Sequence, residues 1–145
     1  METKTLALIV VALAALESVL VLSGVLTPML AYSPGNIVFL IARNAIVIYA
    51  GWGSDGIKDA VSRGAIISAS GATVFVIASL IGSAIHHPML GISFPPESMP
   101  IVYLAIIVMN TAVGVIGALL AVLIAGFIRP KKDGSKTKSK AKNPG

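Results

Sequence analysis

The chain has 145 residues, of which 56% are hydrophobic and 12% charged, and its formal net charge is +5. A soluble domain carries roughly 25% charged residues, so this composition cannot cover a water-facing surface and points to a single membrane domain. The lack of cysteine excludes disulfides, thiolate metal sites and cysteine nucleophiles.

The first span is expected at about residues 5–27, TLALIVVALAALESVLVLSGVLT. At 1.5 Å per residue it is long enough to cross a hydrocarbon core of roughly 30 Å. Lys4 before an apolar run also fits a secretory signal, but the run exceeds a signal core and no small-x-small cleavage site closes it. Glu17 sits near its middle, and an ionisable group at that depth needs a partner on another helix or a watery cavity. Pro28, Pro34 and Gly35 punctuate a loop that ends this helix and opens the next.

The second span, about 36–54, is the shortest in strictly apolar residues and is interrupted by Arg43, with Tyr49 and Trp52 suited to the headgroup level. The string GWGSDG, Gly51 to Gly56, matches G-x-G-x-x-G literally. It follows a membrane helix rather than a strand, and no acid lies about 20 residues on, so a flexible cytoplasmic turn accounts for the glycines better than a nucleotide site. The third span, about 64–85, is rich in small and hydroxylated residues. His86, His87 and Glu97 lie in the proline-rich loop beyond it. Adjacent histidines point in different directions, so no metal is assigned there. The fourth span, about 101–128, carries Asn110 and ends at Arg129-Pro130.

The loops at 28–35 and 86–100 contain no Lys or Arg, whereas the N-terminus, the middle loop (Lys58, Arg63) and the C-terminus do. The positive-inside bias then gives an all-α, up-down four-helix membrane domain over 1–130, in the cell membrane, with both termini cytoplasmic. Seven of the eleven Lys and Arg residues stand at or after Arg129. A tail at 131–145 that alternates Lys with small polar residues is expected to be disordered and suited to anionic lipid headgroups, not to nucleic acid.

Two sets of residues stand out. Measured from the outer helix ends, Glu17 lies about 15 Å down, Arg43 about 10 Å, Asn44 about 12 Å and Asn110 about 13 Å. An arginine can reach several Å along its helix, so Glu17 and Arg43 are expected to pair inside the bundle, with Asn44 and Asn110 completing the hydrogen bonds. The second set is small residues four apart, Gly64, Ser68 and Ala72 on the third span and Gly117, Ala121 and Ala125 on the fourth, with Gly114 and Ala118 as a further pair. Such ridges let backbones approach within the bundle or an oligomer.

No nucleophile stands beside a base, and neither an enzyme nor a cofactor is expected. The leading expectation is a bundle that associates with itself or with a larger membrane complex. The alternative is a small oligomeric transporter or channel for an ion, proton or small polar solute at Glu17 and Arg43. A lone acid in the first of four helices is shared with small multidrug transporters, but Arg43 and the lysine tail fall outside that pattern and no family is assigned.

Overall fold

The computed structural model describes residues 1–128 except 32, 88 and 93. Its described residues form no strand. The long helices are α1 (Thr3–Leu22), α2 (Pro34–Trp52), α3 (Ile57–Ala84) and α4 (Met99–Ile128), with short 3₁₀ turns at Met29–Ala31 and Pro96–Ser98. All four long helices are long and apolar enough to cross a membrane. Arg129 and the lysine tail lie outside the described residues.

Helix boundaries follow local backbone chemistry, and two depart from the sequence expectation. α1 stops at Leu22, well before Pro28, because Gly24 takes a left-handed conformation (φ 76°) that lets its N–H bond to the Val21 carbonyl. α3 begins at Ile57, not near residue 64. The polar segment expected as connector forms its first turns, where Arg63 Nε meets Asp59 at 2.9 Å across one turn. The connector between α2 and α3 shrinks to residues 53–56, and Gly51 belongs to α2.

α2 opens as its sequence suggests. Ser33 is the N-cap, accepting from the Asn36 N–H, and Pro34 follows at the first helical position. α3 closes on a Schellman motif: the His87 N–H reaches the Gly82 carbonyl at 2.8 Å and the His86 N–H reaches Ser83 at 3.4 Å. The left-handed position in that motif is occupied by His86 (φ 56°) rather than glycine.

α3 packs against the other three helices, and α1 and α4 have little contact with each other. The seams are built from small residues. A Cβ on Gly64 would come within 2.8 Å of the Gly114 carbonyl, and one on Gly114 would collide with Ser68. A Cβ on Gly51 would collide with the Ala118 backbone, which fixes the α2–α4 approach. On the other side of α3, a Cβ on Gly71 would meet Val10 of α1 at 2.8 Å. Gly114, Ala118, Ala121 and Ala125 form the buried stripe of α4, while Leu104, Leu120 and Phe127 face outward. Small residues inside and large apolar ones outside are the arrangement a bundle takes in hydrocarbon, where packing rather than water exclusion holds helices together.

Two apolar clusters close this packing. Leu6, Ala50, Ala60, Ile67 and Ala118 fill the end of the bundle near the 53–56 turn. Ala14, Val21, Phe75, Ala78 and Met89 fill the opposite end. There the loops after α1 and α3 meet, the Met29 N–H bonding to the Met89 carbonyl at 3.0 Å.

Candidate functional site

Beside the second apolar cluster, between Ala14 and Val21 along α1, the interior turns polar. Glu17 of α1 and Arg43 of α2 form an ion pair through Oε2 and Nη1, with side chains 3% and 13% exposed. The Arg43 guanidinium also lies over the Phe75 ring of α3, 4.5 Å from its centroid, so three helices meet on one cation. Taking one member of such a pair away leaves a buried, uncompensated charge, which costs about 3–5 kcal/mol.

Arg43 stands at the middle of α2, but Glu17 is off-centre in α1. Since α1 ends at Leu22, Glu17 stands about 8 Å from that end, whereas Arg43 is about 14 Å into α2. The long arginine side chain spans the difference, as its flexible stem allows.

Asn44 and Asn110 share the neighbourhood of the pair but do not complete its hydrogen bonds, contrary to the sequence expectation. The Asn44 amide donates to Leu40 O and the Asn110 amide to Ile106 O, each at 2.8 Å and each to the carbonyl four residues back. A carboxamide on a helix finds that carbonyl in reach at no cost in reorganisation, so it satisfies itself locally before reaching across a gap.

That gap is real. Arg43, Asn44, Asn110 and Ser68 line a central chamber of about 250 Å³, walled by Val10, Val47 and Phe75 and open on the side of Met109 and Val113, which are exposed. Glu17, Arg43, Asn36 and Asn110 line a second chamber of about 180 Å³ on the loop side, with Met29, Leu30 and Leu90. Leu40, Arg43, Phe75 and Asn110 belong to both linings, so the cation and its ring form the partition between the chambers. Beyond the central chamber the close Gly51–Ala118 contact and the Leu6–Ala60–Ile67 cluster fill the space toward the 53–56 turn.

Three contributors to this site carry weaker sequence signals. Asn36 is 4% exposed. Its amide donates to the Thr27 and Pro28 carbonyls at 3.1 Å, tying the first loop to α2, while its buried Oδ1 has no partner among the described residues. Its place three residues after Ser33 signals a helix start, not a site. Phe75 is the one aromatic of the third span, which is the signal that marks it. Ser68, read from spacing as a packing residue, is one and also lines the central chamber.

The rest of the small-residue set divides. Gly64, Gly114, Ala118, Ala121 and Ala125 are buried within the chain, and Ala72 is buried beside the central chamber. Gly117 is looser, with only Ile48 at 3.9 Å from the position of a Cβ. His86 is exposed and His87 half-buried, and no three His, Cys, Asp or Glu among the described residues gather around a common point. Neither chamber lining contains a titratable or charged group other than Glu17 and Arg43. No protein-family model, no curated protein and no solved structure matches this chain.

Proposed function

We propose that this chain is a multi-pass integral protein of the cell membrane, with both termini cytoplasmic, that carries a small ion or polar solute through the Glu17–Arg43 region without enzymatic chemistry. The observation that carries the reading is the partition: a buried cation held by one carboxylate and one ring separates two cavities. A pair kept only for stability has no need of empty space on both sides, and a well-packed apolar pair does as well or better there. The small-residue seams, which from sequence argue equally for an oligomer, are engaged inside the chain and lend self-association no separate support. The orientation rests on the lysines and arginines at the N-terminus, at Lys58 and Arg63 and in the tail.

Reconstitution into liposomes tests this. A panel of sodium, potassium, chloride, pyruvate and glycine should include at least one solute that the protein moves, and Asn110→Phe, which puts bulk where the two chambers adjoin, should stop it. Correctly inserted protein that moves none of the panel, or flux indifferent to Asn110→Phe, would overturn the reading.

A further inference from the structure

The solute class can be read from the hydrogen-bonding capacity that the pair leaves unused. Arg43 spends Nη1 on Glu17 and its face on Phe75, and its remaining N–H donors have no acceptor among the described residues although the side chain is almost wholly enclosed. A guanidinium presents five donors in a planar fork shaped for a carboxylate. Around it the central chamber offers the Ser68 hydroxyl, which has no hydrogen-bond partner among the described residues, and the carboxamides of Asn44 and Asn110, each with a second N–H unspent. The remaining lining is apolar: Val10, Val47, Met109 and Val113. A cavity of about 250 Å³ falls below the roughly 300–1,000 Å³ typical of drug-sized ligands.

We propose that the central chamber binds a small monocarboxylate, its head on Arg43 and its short carbon tail against the valines, and that each molecule bound brings one proton, taken up by Glu17. This rests on the transport reading above. The coupling follows from charge. Arg43 balances one carboxylate, and Glu17 already provides it. When a ligand carboxylate binds the free donors, two carboxylates share that one cation, and Glu17 is only 2% exposed. From α2 Arg43 faces it, and Phe75 of α3 lines the same chamber; the loop that brings Leu90 there carries His86, His87 and Glu97, none of which lines it. Lys58, Asp59 and Arg63 of α3 belong to its opposite end, and α4 brings no charged residue. A buried carboxylate in that position is relieved by a proton. The ligand carboxylate takes the free donors of the guanidinium, Glu17–COO⁻ and H⁺ become Glu17–COOH, and the net charge of the site is unchanged.

Pyruvate, ionised throughout the range used, is the probe. Calorimetric titration of the detergent-purified chain between pH 8 and pH 5 should show affinity rising about tenfold per pH unit as pH falls, the slope that one linked proton dictates. A weakly buffered dye in the same wild-type sample should record one proton taken up per pyruvate. In Glu17→Gln the guanidinium has no anionic competitor, so binding should be tighter at pH 8 and flat with pH. Arg43→Gln, alone or together with Glu17→Gln, should bind none. Wild-type binding with no proton uptake, or pyruvate affinity untouched in Arg43→Gln, overturns the proposal. If the liposome panel moves potassium, sodium or glycine and pyruvate does not bind, this assignment fails and the transport reading stands. If pyruvate binds with its proton and nothing in the panel crosses, the transport reading fails and the binding site stands.

Discussion

Arg43 illustrates how much one residue can organise in a bundle held together by packing. Its charge joins α1 and α2 through Glu17, its face joins α3 through Phe75, and its unspent donors face two cavities. Removing the acid should therefore cost more than removing both charges. Glu17→Ala is expected to lower unfolding stability by about 3 kcal/mol, while Glu17→Ala with Arg43→Met should recover most of that loss, because the isolated cation is the costly species. Reversible unfolding in mixed detergent micelles measures both, and a double variant no more stable than Glu17→Ala would show that the isolated cation is not the costly species. The attraction between these two residues was legible from sequence, since each is a charge in an otherwise apolar run. The local bonds of Asn44 and Asn110 were not, because helical depth says nothing about which acceptor a carboxamide meets first.

At the scale of the helices, the seams depend on where the backbone must come close. A Cβ would strike the Ala118 backbone from Gly51, the Ser68 side chain from Gly114, and nothing within 4 Å from Gly126. Gly51→Ala should cost about 1–3 kcal/mol, since a backbone cannot step aside without moving its helix. Gly114→Ala should cost a similar amount, because the Ser68 Cβ would lie at 2.5 Å and no rotamer change moves it. Gly126→Ala should be neutral or stabilising by up to about 1 kcal/mol through helix propensity. Thermal unfolding of the three variants orders them, and equal losses at Gly51 and Gly126 would contradict the tight α2–α4 approach. Spacing of small residues announces that close packing exists but not its partner, which is why Gly51 reads as part of a flexible turn in the sequence and proves to be a packing residue in α2. The end of α1 has the same character. Proline is the louder signal at residue 28, but Gly24 acts first, and Glu17 comes to lie nearer the loops than the apolar run implies.

For the whole molecule, the distribution of basic residues predicts which end faces the cytoplasm, and the absence of cysteine makes this directly measurable. Asp55 and Glu97 are both exposed, one in the short turn and one in the long loop. With a membrane-impermeant maleimide on intact cells, Glu97→Cys should label at once and Asp55→Cys only after permeabilisation; the reverse pattern would invert the topology. The sequence by itself determined the all-helical class, the number of apolar helices and the residues whose charge is out of place in them. These depend on composition and run length, which are additive along the chain and indifferent to what lies beside it. Only the tertiary structure decided that an aromatic from a third helix covers the cation, that the two asparagines bond locally, and that two chambers flank the pair. A contact or a void exists only when several helices are brought to particular distances, and those distances are set jointly by side chains far apart in the chain.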